Sequence, residues 1–240
     1  MTDQFYTTVP VAKQCYQLLL SNVNIGDYDI ILEPSAGTGS FFNLLPPENR
    51  KGIDLEPKCK DVQKLDFFDF KQSTNNTYLV VGNPPFGRIS SLAIRFFNKS
   101  ATFADCIAFI IPRTFKRTSV QNKLSLYFKL VLSQDLPLTP CCFRPKMSAK
   151  CCFQIWKRTE FPREKIIYKK THSDFKFIKH GPKDEKNQPT PPQGADFVMK
   201  AYGSNCGELV EQNLQHLRPK SWHWIKSSID VELLKQRFNT

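Results

Sequence analysis

The chain has 240 residues, 40% of them hydrophobic, which is enough for one sizeable α/β domain with a small appendage. No run of 18 apolar residues occurs, Met1-Thr2-Asp3-Gln4 is no export signal, and eight cysteines without such a signal fit a reducing compartment; the expectation is a soluble intracellular protein of the cytoplasm or nucleus, with no membrane partner. The net charge of +12 is uneven, residues 1–83 carrying 7 basic and 10 acidic side chains and residues 84–240 carrying 27 and 12.

In chain order, Val11, Cys15, Leu18 and Leu19 fall at helical spacing after Val9-Pro10, which predicts a helix over about residues 9–22. Tyr28 to Leu32 reads as a strand. It runs into Glu33-Pro34-Ser35-Ala36-Gly37-Thr38-Gly39-Ser40, a strand-to-helix loop whose two glycines let a ligand approach the backbone. A phosphate-binding Walker loop is excluded because no Gly-Lys-Ser/Thr follows, and the dinucleotide fingerprint fails because Phe42 occupies its third glycine position. A second strand, Lys51-Gly52-Ile53, ends in Asp54, seventeen residues after Gly37, where doubly wound folds bind a ribose diol. Leu65-Asp66-Phe67-Phe68 then offers a carboxylate for an adenine amine, with phenylalanines to sandwich the ring.

Tyr78-Leu79-Val80-Val81 is continuously apolar, as a strand buried on both faces of a parallel sheet must be, and it stops at Gly82-Asn83-Pro84-Pro85-Phe86-Gly87. Two consecutive prolines stiffen this turn and remove two donors. The Asn83 side-chain oxygen and the Pro84 carbonyl can together accept both hydrogens of one planar amino group, while Phe86 offers a ring face for stacking. Beyond it, Ile89, Leu92, Ala93, Phe96 and Phe97 predict a helix of roughly 14 residues, and Ala104 to Ile111 a buried strand. Pro112 to Arg117 is a basic loop on the same sheet edge. Ser119 is expected to cap a helix carrying Val120, Leu124, Tyr127 and Phe128; 129–132 and 151–156 read as late strands. Residues 112–158 hold ten Lys/Arg against the single acid Asp135, which suits a polyanion across this face. Arg88, Arg113, Lys116, Arg117 and Lys146 are the expected nucleic-acid contacts.

Cys141-Cys142 and Cys151-Cys152 do not have zinc-ribbon spacing and are read as buried thiols, with no metal site. All four histidines lie beyond residue 158, which speaks against a histidine-based hydrolase in the core. Residues 159–240 change character. Ile166-Ile167-Tyr168 is a short β-like run, Gly181 to Gly194 a polar, proline-rich loop expected to be mobile, Ala195 to Tyr202 strand-like, Leu209 to Leu217 helical, and Asp230–Phe238 a last helix. Trp222 and Trp224, amid basic residues, suit either base stacking or anchoring of the tail.

The order Phe5-Tyr6-Thr7, Glu33 to Gly39, Asp54, Asp66-Phe67 and Asn83-Pro84-Pro85-Phe86 resembles the S-adenosylmethionine-dependent N6-adenine methyltransferases of the gamma arrangement. The resemblance covers about residues 4–158. It implies a Rossmann-like class I methyltransferase fold of the α/β class over 1–158, with a central mostly parallel sheet, and a small substrate-contacting C-terminal extension over 159–240. It also implies S-adenosylmethionine as cofactor. Tyr6 and Thr7 would line its methionine end, with Ser35 and Asn83 nearby. Glu33 would sit near its ammonium, Gly37 and Gly39 would pass close to it, Asp54 would bind its ribose, and Asp66 with Phe67 its adenine. Asn83, Pro84, Pro85 and Phe86 would form the catalytic turn that holds the target adenine. A further aromatic, Phe115, Phe143 or Phe153, would help grip that base. The family's first motif more often opens with Asp than Glu33, and Thr8 stands where proline is common.

The implied activity is methylation of the adenine amino group in nucleic acid, DNA ahead of RNA. Two alternatives remain on the residues: a non-catalytic nucleic-acid-binding protein or partner subunit with a vestigial site, and a protein glutamine methyltransferase, although families of that kind usually show tyrosine where Phe86 stands.

Overall fold

Tyr78-Leu79-Val80-Val81 is apolar at every position, and in the computed structural model it forms a strand, Tyr78–Gly82, with no exposed residue. The structure describes residues 5–147, 149–167 and 171–238; Met1–Gln4 and Tyr168, each part of an expectation above, lie outside the described residues. The chain divides into two compact units, Met1–Ile166 and Ile167–Thr240.

In the first unit, β1 (Ile30–Glu33), β2 (Arg50–Asp54), β3 (Gln63–Lys64), β4 (Tyr78–Gly82), β5 (Cys106–Pro112), β6 (Phe128–Asp135) and β7 (Cys151–Arg158) form one sheet in the order β3-β2-β1-β4-β5-β7-β6. Neighbours from β3 to β5 are parallel, while β7 runs antiparallel to both β5 and β6. This is a Rossmann-like α/β fold with a mostly parallel sheet. The strand order reverses between β1 and β4, so the loops leaving their C-terminal ends border the crevice where such sheets take ligands.

Alternation sorts the strand residues into two cores. On one side, helix α1 (Val9–Leu20) buries Val11, Ala12, Cys15 and Leu19 in the cluster that holds Ile31, Val81, Ile110 and Phe153. On the other, α2 (Ser91–Ser100) buries Ala93, Phe96 and Phe97 with Leu32, Val80, Ile107 and Trp156. Pro10 in the first turn of α1 costs no hydrogen bond there. A two-residue ribbon pairs Tyr6–Thr7 with Phe143–Arg144. No described helix is long and apolar enough to cross a membrane.

Several elements differ from expectation. After the glycine loop only a single 3-10 turn forms, Phe42–Leu44, because Pro46-Pro47 comes at once and cannot extend it. The helix expected from Ile89 begins at Ser91, since Gly87, Ile89 and Ser90 are left-handed. Ser119 does not cap a long helix: α3 is one turn, Thr118–Gln121, and Phe128 opens β6. The Ser125 N–H goes to the Asn98 side-chain oxygen (2.9 Å) instead of continuing the helix. Ile166 joins no strand; its N–H and carbonyl are both taken by the Asn122 amide.

The second unit is a four-stranded antiparallel sheet, β8 (Phe175–Phe177), β9 (Phe197–Lys200), β10 (Leu209–Val210) and β11 (Trp222–Ser227), in the order β8-β11-β9-β10, followed by α4 (Val231–Phe238). The helix expected at 209–217 is absent: Leu209 and Val210 pair with β9, and left-handed Asn213 starts a 3-10 turn at Leu214–His216. Trp222 and Trp224 are buried with Val198, so they anchor this unit and offer no stacking surface. The Trp224 indole N–H donates to the Pro219 carbonyl at 3.0 Å. Gly181 to Gly194 carries hydrogen bonds of its own, including Gly181 N–H to the Thr190 carbonyl.

Phe97 is fully buried and meets Phe128 and Trp156 edge-on, at 5.8 and 5.4 Å between ring centres. Phe97→Ala is expected to destabilise the first unit by about 3 to 5 kcal/mol, read as faster hydrogen exchange of the β7 amides at unchanged exchange in β11.

Candidate functional site

Where β1, β2 and β4 end, a cavity of about 770 Å³ opens, lined by the 5–7 ribbon, the loops after the three strands, Asp66 to Phe68, and the first turns of α2. Tyr6, Thr7, Glu33, Ser35, Gly37, Asp54, Asp66 and Phe67, expected around the cofactor, all line it, as do Asn83, Pro84, Pro85 and Phe86 of the expected catalytic turn. From the expected set only Gly39 does not.

The loop after β1 is pinned from two sides. The Gly37 N–H donates to Asp54 Oδ2 (2.8 Å), and the Glu56 N–H donates to Asp54 Oδ1 (2.8 Å). Gly37 has φ +48, and a Cβ there would stand 2.7 Å from the Tyr6 ring, so glycine is required both by conformation and by close approach. Ser35 Oγ donates to the Asn83 carbonyl at 3.1 Å, joining the loop after β1 to the loop after β4. Asp66 accepts the Phe68 N–H (2.9 Å) and so starts the 3-10 turn that carries Phe67 and Phe68. Lys58 lies over the Tyr6 ring at 4.9 Å.

Three buried polar atoms of cavity-lining residues have no hydrogen-bond partner: Thr7 Oγ1, Glu33 Oε2 and Asn83 Oδ1. The Asn83 orientation is set by its neighbour. Its Nδ2 donates to the Phe5 carbonyl at 3.1 Å, and a carbonyl can only accept, so the amide oxygen is the atom left over. Glu33 is 3% exposed, and burial drives its carboxyl well above the ordinary range; the Phe42 backbone N–H offsets part of this, and the Asp54 charge adds to it. Phe86 stands edge-on to Phe143 (6.2 Å). Phe143 is fully buried, as are Phe115 and Phe153, and none of the three lines the cavity; Phe143 acts by backing Phe86.

The basic residues separate into two groups. Arg113 donates to the Cys151 and Leu136 carbonyls and pairs with Asp135 (3.4 Å), and Lys116 Nζ lies 2.5 Å from the same carboxylate. Both cations are paired with Asp135, while the Lys116 side chain remains 42% exposed. Arg88, Arg117 and Lys146 are exposed, with Lys146 adjacent to cavity-lining Met147. Sequence reasoning missed Arg95, which stacks over Phe68 at 4.3 Å and lines the cavity with Leu92 and Phe96. The i, i+3, i+4 spacing of these three on one helix face was the available signal. Cys142, Cys151 and Cys152 are buried thiols, and no group of metal-ligating side chains occurs among the described residues.

No protein-family model and no curated protein sequence matches the chain. Solved structures do. A candidate RNA methyltransferase from Pyrococcus horikoshii is similar at 18% identity over 66% of this chain and 88% of that one, with a TM-score of 0.49. The 23S rRNA methyltransferase ErmE is similar at 16% identity over 62% and 69%, TM-score 0.46. A candidate class I S-adenosylmethionine-dependent methyltransferase from Listeria monocytogenes is similar at 14% identity over 68% and 64%, TM-score 0.49.

The raised Glu33 carboxyl has a definite sign in stability. The folded chain binds this proton more tightly than the unfolded chain, so the contribution is full below about 4.5, the ordinary value, and is lost as pH rises through the folded value. Glu33→Gln is therefore expected to raise the neutral-pH stability of the ligand-free protein by about 1 to 3 kcal/mol and to flatten its pH dependence above 4.5, measured by denaturant titration across pH.

Proposed function

We propose that this chain transfers a methyl group from S-adenosylmethionine to the amino nitrogen of adenine in nucleic acid, DNA ahead of RNA. The observation that carries the reading is the buried, unpartnered Asn83 Oδ1 beside the Pro84-Pro85-Phe86 turn.

The residues present fit the cofactor. Glu33 keeps a buried oxygen unpartnered, which suits an ammonium; the Gly37 backbone leaves the room that a Cβ would fill; Asp54 stands at the β2 end; and Asp66 lies between Leu65 and Phe67 on the cavity wall. When bound, S-adenosylmethionine supplies a methyl group activated by the positive charge on its sulfur. The chain's own residues do the rest. Asn83 Oδ1 and the Pro84 carbonyl would hold the two amine hydrogens, drawing the nitrogen lone pair out of conjugation with the ring and leaving it free for attack. Phe86, backed by Phe143, stacks on the base and fixes its plane. Much of the rate is then positioning, with the extra proton leaving to solvent after transfer.

Exposed Arg88, Arg117 and Lys146 supply phosphate contacts, and binding should weaken as salt rises. A protein glutamine amide is also a planar amine, but it has no use for this basic surface.

The test is nucleoside mass spectrometry of DNA and RNA pools incubated with the protein and S-adenosylmethionine. Methyladenine in one pool is expected, reduced at least about 100-fold by Asn83→Ala, with cofactor affinity by calorimetry nearly unchanged. Asp54→Ala is expected to weaken cofactor binding by about tenfold or more, because it also releases the Gly37 loop. Cofactor bound and no base methylated in either pool would overturn the reading.

A further inference from the structure

The loop between the catalytic turn and α2 has a conformation that its residues disfavour. Gly87, Ile89 and Ser90 have φ of 66°, 53° and 61°. For glycine this costs nothing, but Ile89 is β-branched, and the left-handed region is a genuine outlier for such a side chain. A strained residue is normally compensated by burial. Ile89 is instead 83% exposed.

The surroundings hold it there. The Phe86 carbonyl accepts from both Leu92 and Ala93 N–H at 3.2 Å, which fixes the far end of the turn to the start of α2. Ser90 is 5% exposed, and its hydroxyl bonds the Thr114 hydroxyl at 2.8 Å, tying the loop to the segment after β5. A Cβ on Gly87 would stand 2.7 Å from the Leu92 Cβ, so the chain is tight at its entry as well. Phe86 and Ser90 are thus anchored on either side, and Ile89 is carried outward between them, next to exposed Arg88 and three residues from the ring that stacks on the target base.

We infer that Ile89 is a positioning residue that stacks on the nucleobase next to the target adenine when the target leaves the base stack. This rests on the proposed methyl transfer. Removing a base from a strand exposes the faces of its neighbours, and a rigidly held aliphatic wedge beside the active turn replaces the lost stacking. Arg88, beside it, meets the phosphate of the same nucleotide. The class of ligand is therefore an adenine flanked by a stacked base in a polynucleotide, and a lone nucleoside makes no use of Ile89.

The backbone makes the test unusually clean. Asparagine and glycine suit a left-handed position better than isoleucine, so Ile89→Asn and Ile89→Gly preserve or improve the loop while removing the wedge. Both variants are expected to melt at or above the wild-type temperature. On an oligonucleotide with one target adenine, KM should rise by about tenfold or more, and the fluorescence of 2-aminopurine at the flanking position should report less unstacking. Methylation of adenosine at high concentration should stay at the wild-type rate. Unchanged KM and fluorescence on the oligonucleotide, or an equal loss on adenosine, would overturn the role of Ile89. Wild-type protein that methylates neither substrate would overturn the methyl-transfer reading itself, an outcome distinct from the other two.

Discussion

The orientation of the Asn83 amide depends on one contact, the hydrogen bond from its Nδ2 to the Phe5 carbonyl. Without it the amide would be free to turn either end to the cavity, and half of its orientations would present a donor where the proposed transfer calls for an acceptor. The partner carbonyl is itself fixed, because the next two residues pair with Phe143–Arg144 and the Thr8 N–H donates to the Cys142 carbonyl. Ser40 Oγ donates to the Thr7 carbonyl at 2.6 Å from the loop after β1. Segments distant in sequence thus converge on one side-chain amide, and its oxygen is oriented before any ligand arrives. Such preorganisation lowers a barrier without requiring rearrangement during the reaction.

The same cavity is costly to the ligand-free fold. Glu33 is buried with an unpartnered carboxylate oxygen, Thr7 and Asn83 keep unpartnered polar atoms, and Ile89 and Ser90 hold left-handed backbone. None of these features improves packing. The surrounding structure tolerates them because β4 and β5 are buried along almost their whole length and the strands beside them clamp the loops. Stability and the local demands of a site commonly conflict in this way. In this chain several of these features gather at the C-terminal ends of β1 and β4, in the 5–7 ribbon and in the loop leading into α2.

Much of the fold and the site is legible in the sequence because strand cores and strand ends leave distinct marks. Unbroken apolar runs at 78–81 and 106–111 place the central strands, and glycine, aspartate and Asn-Pro-Pro-Phe place the loops at their C-terminal ends. Several of the misses share a cause, a non-local partner. Ser125 leaves its helix for Asn98, Leu209 and Val210 pair with β9, and Phe143 approaches Phe86 from 57 positions away. The burial of Trp222 and Trp224 depends likewise on a sheet assembled from four short strands, none of which is strongly patterned by itself. Arg95 is a different case. Its helical spacing is visible, but nothing in the sequence says which face of α2 looks into the cavity.

Charge shows why counting is a poor substitute for placement. Ten cations against one acid between residues 112 and 158 read as a uniform basic surface. The single acid, Asp135, holds two of the ten, Arg113 and Lys116; the Lys116 hydrogen bond above all, with the charges of both, keeps its carboxyl below the ordinary range. Arg158 likewise spends its guanidinium on the Ala101 and Ala104 carbonyls, and Arg163, just beyond, on those of Gln121 and Phe128. Arginine's rigid fork of donors suits it to this closing of carbonyl ends. Arg117 and Lys146 of the ten are exposed, with Arg88 outside that stretch, and so are Lys123, Lys129, Arg144 and Lys150. Under the proposed reading, placement and not number decides which of these cations meet phosphate, and each such contact steepens the dependence of binding on salt.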